Sequence, residues 1–222
     1  MKPVCLVLGA GAGIGGTVAK KFASEGYHSF LCRRSDQEGL DRLIGDIENS
    51  GGSASGQLIN AIEENVLEEL INKVETEVGP IEVVVYNLGA QTGMKLLSQT
   101  SYKEFEWGWK MASFGLFRVA KVLCPLMVER GRGTILVTSA TAAMRGNATQ
   151  HSHAAAMAGR RMLCQSLNAE FSSKGIHVAH IIVDGAVDAP DTLGKMLGAE
   201  MYQQLRETKG MEHDGLLLPE EI

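Results

Sequence analysis

Val4-Cys5-Leu6-Val7-Leu8-Gly9-Ala10-Gly11-Ala12-Gly13-Ile14-Gly15 is the stretch that decides the fold. A short apolar run fits a buried strand, the glycines end it, and Thr17 to Glu25 has the composition of a helix. Strand, glycine turn and helix start together make a phosphate cradle. Glycines let the backbone come close to a ligand, and the first N–H groups of a helix have no partner within it. A dinucleotide pyrophosphate is therefore expected against Gly9, Gly11, Gly13, Ile14 and Gly15. The alternative for such a motif taken alone is a flexible turn, so the rest of the chain has to decide.

Outward from this point, strand-like runs alternate with helical patterns. The strands are expected at Val4–Leu8, His28–Cys32, Gly56–Ile59, Ile81–Tyr86, Thr134–Thr138 and His177–Val183. The helices are expected near Thr17–Glu25, Asp36–Ser50, Asn65–Val78, Tyr102–Glu129 and His153–Ser173. This alternation predicts an α/β fold, a Rossmann-like doubly wound parallel sheet with helices on both faces. Gly51 to Gly56 reads as a helix-to-strand loop rather than a boundary, so residues 1–222 are expected to form a single domain.

The composition agrees: 222 residues that are 45% hydrophobic can bury a sizeable core. A net charge of −5 offers no basic stripe for nucleic acid, and no nucleic-acid partner is expected. Cys5, Cys32, Cys124 and Cys164 lie singly in apolar segments without metal-ligand spacing, which predicts buried reduced thiols, no metal site and a cytoplasmic setting. Lys2 followed by an apolar run imitates a signal peptide, but cleavage there would remove the first strand and the phosphate loop. No other stretch reads as approaching the ~20 apolar residues of a membrane helix, so no membrane association is expected.

Further landmarks follow in order: Gly79-Pro80-Ile81-Glu82, Tyr86-Asn87-Leu88-Gly89, Gly175-Ile176-His177-Val178 and Asp184-Gly185-Ala186-Val187. With Gly9, Gly13 and Gly15 spaced as Gly-x-x-x-Gly-x-Gly, the chain resembles the short-chain dehydrogenases/reductases over essentially its whole length. The resemblance implies a nicotinamide cofactor, with Asn87, Leu88, Gly89 and Val187 beside it and Asn60-Ala61 toward the adenine. Asn60 equally reads as a strand-end turn residue.

The second strand ends in Cys32-Arg33-Arg34. Arginine there can pair with the 2′-phosphate of NADP, whereas a carboxylate would take the ribose hydroxyls of NAD. Arg33 and Arg34 favour NADP(H). Asp36 leaves NAD(H) as the alternative, although it reads better as the residue opening the next helix.

The catalytic positions depart from the family, which uses an Asn, a Ser and a Tyr-x-x-x-Lys. The resemblance puts Ala112 at the asparagine, Ala140 at the serine, His153 at the tyrosine and Met157 at the lysine. Alanine and methionine transfer no protons, and a positioned acid or base is worth about 10²–10⁴ in rate. His153 is the remaining candidate acid or base, against a reading as a polar helix-start residue. Ser139 reads as turned away by strand alternation, and Arg160 as a solvated or interface arginine, with a reach toward the cofactor as its alternative.

The resemblance also implies a homodimer or homotetramer through the two long helices, a substrate lid over Ala189–Gly215, and a further strand after Pro219-Glu220-Glu221-Ile222. Met196, Met201 and Met211 read as adaptable packing. Three readings follow. One is an oxidoreductase of small carbonyl or alcohol substrates with rewired proton transfer, one a non-catalytic nucleotide-binding protein, and one a structural subunit. The intact glycines, Asn87 and Arg33 speak against the last.

Overall fold

Every side chain of β1 (Val4–Leu8) is buried, as the unbroken apolar run requires of a strand covered on both faces. The structure is a computed structural model that describes residues 2–89, 93–189, 193–211 and 216–222. The chain continues through α1 (Ile14–Ser24), β2 (His28–Arg33), α2 (Gln37–Asn49), β3 (Ser53–Leu58), α3 (Val66–Lys73) and β4 (Ile81–Tyr86). It then forms α4 (Tyr102–Trp109), α5 (Gly115–Arg130), β5 (Gly133–Ala140), α6 (His151–Phe171), β6 (Ile176–Val183), a short α7 (Lys195–Leu197) and α8 (Ala199–Met211).

The six strands form one parallel sheet in the order β3-β2-β1-β4-β5-β6. β1 pairs with β2 on one side and β4 on the other, so the strand order reverses there and a crevice opens beyond the carboxyl ends of β1 and β4. Alternate residues of β1 feed two cores. Val4, Leu6 and Leu8 pack with Val84, Leu116 and Leu123, while Cys5 and Val7 pack with Ala19, Leu31 and Leu40. All four cysteines are free and buried, and burial pushes their thiols above the ordinary range, Cys124 and Cys164 to about 11.

Three expectations need correction. The third strand begins at Ser53 and ends at Leu58, covering residues expected as loop. Its small residues are there for packing: a Cβ on Gly56 would lie 2.4 Å from the Leu31 carbonyl and 3.1 Å from Leu40 of α2. Second, the long fourth helix is interrupted by a π-turn over Lys110–Phe114, which shifts the backbone hydrogen bonding by one residue. Third, Tyr102–Arg130 spans 29 residues and is long and apolar enough to cross a membrane by length and composition. Its apolar face packs into the core instead: Leu116, Val119, Ala120 and Leu123 are all buried there.

Candidate nucleotide and catalytic site

Gly9 ends β1 with φ +94°, and its N–H donates to the Cys32 carbonyl at 3.0 Å, closing the turn against β2. A Cβ on Gly9 would stand 2.6 Å from the Asn87 carbonyl, and one on Gly15 would stand 2.1 Å from the Gly9 carbonyl. Real side chains do not fit at either place, so backbone packs directly on backbone and the start of α1 meets the crevice. Gly13 is the N-cap of α1 and brings no side-chain cap. The glycine turn itself supplies part of the cap, the Gly16 N–H donating to the Gly11 carbonyl at 2.8 Å.

Asn87 fixes this loop from the opposite strand. Its Nδ2 donates to the Gly9 carbonyl at 2.9 Å, while its Oδ1 accepts the Thr138 hydroxyl at 2.7 Å. The amide expected as a ligand contact is a clasp joining the glycine turn, β4 and β5.

A groove of about 580 Å³ runs from Gly9 and Gly11 to Arg33, Arg34 and Asp36, with Asn87, Leu88 and Gly89 on its other wall. Trp107, Met111 and Lys195 also line it, and nothing in their spacing announced that role. Arg33 pairs with Asp36 at 3.0 Å, and Asp36 in turn caps α2 by accepting from the Gly39 N–H at 3.0 Å. Its backbone is left-handed, φ 74°, and the Gly39 bond is the main cause holding its carboxyl below the usual range. Asp36 therefore opens the helix as its sequence position suggests, and it also orients Arg33.

Asn60 and Ala61 are placed elsewhere. The Asn60 amide donates to Glu63 at 2.8 Å and lines a separate cleft with Gln57 and Lys73. Ala61 is buried, and its carbonyl accepts Arg118 at 3.0 Å. The strand-end turn reading of Asn60 is the one its contacts follow.

A second cavity, of about 230 Å³, adjoins the groove through Asn87, Leu88 and Gly89 and extends over the ends of β5 and β6. Ile14, Ala140, His153, Met157 and Val187 meet there, so three of the four departing positions surround one space. The α6 helix begins at His151, which puts His153 in its first turn. Ser139 also lines this cavity, with its Oγ 3.7 Å from the Met157 sulfur. The expectation that it faces away is corrected: the cavity wraps round the end of β5 and meets consecutive residues.

Ala112 lies beneath, within the π-turn. A π-turn leaves carbonyls without their helical partners, and here side chains take them. Tyr86 donates its hydroxyl to the Met111 carbonyl, and Arg160 donates Nε to the Ala112 carbonyl at 3.2 Å. Arg160, expected as a solvated or interface arginine, is the residue whose setting the structure corrects. It is 2% exposed, not solvated. Its two other nitrogens donate to the carbonyls of Thr138 and Leu88, each at 2.7 Å, and its guanidinium lies 5.1 Å from the centre of the Tyr86 ring. Its position one turn beyond Met157, on the same helix face, was the available signal.

Of the expected lid, residues 190–192 and 212–215 and the Met196 and Met211 side chains lie outside the described residues. Within it, Tyr202 donates to Asp188, and Arg206 pairs with the same carboxylate at 3.2 Å. Met201 is exposed.

Comparison with known proteins agrees with this architecture. The short chain dehydrogenase family matches residues 3–195. The 3-oxoacyl-(acyl-carrier-protein) reductase of Thermotoga maritima is 28% identical over 189 residues, covering 85% of this chain and 76% of that protein. A short-chain dehydrogenase from Rhodopseudomonas palustris superposes with TM-score 0.77 and 33% identity over 91% of each chain. A gluconate 5-dehydrogenase from Burkholderia cenocepacia, solved with NADP and tartrate, shares the fold at TM-score 0.82 and 21% identity, over 99% of this chain and 84% of that one. From glycine turn to final strand, this chain belongs to the short-chain dehydrogenase family.

Proposed function

We propose that this chain binds NADP(H), with the adenosine half along Arg33 and Arg34 and the nicotinamide half in the cavity over β5 and β6. The observation that carries this is the placement of Arg33 and Arg34 in the same groove as Gly9 and Gly11. Two guanidinium groups at the ribose end suit a 2′-phosphate, and Gly9 and Gly11 present backbone without side chains to the same groove, as a pyrophosphate needs. Asp36 would favour NAD(H) if it were free, but its carboxylate is engaged by Arg33 and Gly39. The NADP-bound structural neighbour is in keeping with this reading. Titration with NADPH and with NADH, followed by nucleotide fluorescence, should give tighter NADPH binding that Arg33→Ala weakens at least about tenfold, the size of one lost charge-assisted contact. Equal affinities in the parent and the variant would refute the assignment.

When bound, the nucleotide supplies a hydride to a small carbonyl substrate or takes one from an alcohol. The proton belongs to the protein. Ala140 and Met157 carry none, so His153 is the residue in this cavity able to exchange one near neutral pH. Turnover with His153 is thus the enzymatic reading, and nucleotide binding without turnover is the second, favoured by the apolar Ala140–Met157 wall. His153→Ala separates them. A carbonyl-reduction rate that falls about 10²-fold with NADPH affinity kept identifies the proton carrier. An unchanged rate removes His153 from the chemistry.

We also propose a homodimer through the α4–α5 face. Trp109, Phe114 and Phe117 stack there at 5.0 and 6.4 Å between centroids while remaining 38–46% exposed. Such an aromatic run is costly to leave in water. Phe117→Asp should turn a dimer into a monomer in sedimentation velocity, and a monomeric parent protein would refute it.

A further inference from the structure

Arg160 places a full positive charge at the wall of the cavity assigned above to the nicotinamide. A guanidinium stays protonated at any pH the protein experiences, even where burial lowers its pKa. Its partners here are the carbonyls of Leu88, Thr138 and Ala112 and the face of Tyr86, all without net charge. Burial holds the Tyr86 phenol neutral by pushing its pKa up. Among the described residues lining this cavity there is no carboxylate. Two acidic residues adjoin the lining along the chain: Asp184 is exposed and accepts the Thr141 hydroxyl, and Asp188 is taken by the Tyr202 hydroxyl and by Arg206. The cavity therefore has in its wall a buried cation, with no carboxylate among the described residues lining it.

The two redox forms of a nicotinamide nucleotide share the same adenosine and pyrophosphate and differ at the ring, which is cationic when oxidised and neutral when reduced. We propose that Arg160 makes this site selective for the reduced nucleotide, by repelling the oxidised ring while leaving the neutral ring untouched. The proposal rests on the NADP(H) assignment. It makes Arg160 a specificity-determining residue and the protein a discriminator of nucleotide redox state, whether or not it turns over. Arg160 is 2% exposed, so its field acts through protein rather than bulk water, and one nearby charge is expected to separate the two affinities by at least about tenfold.

The test is calorimetric titration of the parent protein, Arg160→Met, Arg160→Lys and Met157→Glu, each with NADPH and with NADP⁺. The parent protein should bind NADPH at least about tenfold more tightly. Arg160→Lys keeps the charge and should keep the ratio. Arg160→Met should bring the ratio toward one. Removing Arg160 strips three carbonyls of their donor and could prevent folding. Met157→Glu therefore supplies a route that leaves Arg160 in place: a carboxylate one helical turn away neutralises the charge and should also collapse the ratio. Equal affinities in the parent protein overturn the proposal, as does a preference that survives in Met157→Glu or in a folded Arg160→Met. Failure of both nucleotides to bind the parent protein overturns the NADP(H) assignment itself, and the proposal with it. The adenosine end is common to both ligands, so the ratio reports the ring alone.

Discussion

Asn87 and Gly9 are joined across the mouth of the crevice, side-chain amide to main-chain carbonyl at 2.9 Å, and the same amide holds the Thr138 hydroxyl on the next strand. The amide thus sets the position of the glycine turn relative to β5, which lines the nicotinamide end. Asn87→Leu should cost about 1–3 kcal/mol, because the Gly9 carbonyl and Thr138 hydroxyl lose a partner in a half-buried place. NADPH affinity should fall further than with Thr138→Val, which cuts one arm of the clasp and leaves the glycine turn held. Urea unfolding and nucleotide titration of the two variants check the order.

Two glycine-to-alanine substitutions should act in opposite directions. A Cβ on Gly15 would meet the Gly9 carbonyl at 2.1 Å, so either α1 or the turn must move, and NADPH binding should be lost. A Cβ on Gly45, inside α2, meets nothing within 4 Å, and Gly45→Ala should stabilise by about 0.5–1 kcal/mol through helix propensity alone. Thermal melts with and without nucleotide distinguish them. A Gly15→Ala protein that still binds NADPH would show that the cradle is not where the phosphates sit.

Acid should weaken the segment that leads into α4. Glu104 is held at a pKa of about 2, chiefly by its hydrogen bond to Lys95 and then by the backbone and hydroxyl of Ser101, whose capping box it completes. Its folded value lies below the ordinary carboxylate value of 4.5. The contribution is therefore present in full above that pH and lost as the pH falls toward 2. Glu104→Gln should lower the urea midpoint at pH 7 and match the parent protein near pH 2. A gap that persists at pH 2 would assign the effect to packing rather than charge.

The parts of this fold that were legible in the sequence are those governed by local pattern. β1 is a continuous apolar run and β4 is one broken only by Glu82, and the expected bounds of both match the strands. The parts that were hidden depend on distant segments. Ser53 to Ser55 read as loop because they are small and mostly polar, yet they pair with β2, and α2 packs close over the strand at Gly56. The π-turn at Lys110–Phe114 has ordinary helix composition. Arg160 could be placed on the Met157 face of its helix. However, the carbonyls that bury it come from Leu88, Ala112 and Thr138, three segments no local pattern brings together. Asn60 shows the converse: its family position suggested a ligand contact, whereas Glu63, three residues on, takes its amide.

The same buried arginine predicts that the lysine of the family pattern cannot simply be put back. Met157 is 2% exposed, rests against the Ser139 hydroxyl, and stands one helical turn before Arg160 on the same face. Met157→Lys would bring a second cation into a buried position beside one already there, with no carboxylate among the described residues lining the cavity. Desolvation and like charge both disfavour the ammonium, so its pKa in the folded protein falls below that of the unfolded chain. The destabilisation should be about 3 kcal/mol or more at pH 7, the size seen when a buried charge goes uncompensated. It should shrink as the pH rises toward the lysine value of about 10.4, because over that interval the unfolded chain binds the extra proton. Urea midpoints of Met157→Lys and the parent protein at pH 7 and pH 10 measure this. A gap that stays constant with pH would mean that the lysine has found water or a carboxylate, reaching past the burial that Met157 and Arg160 show.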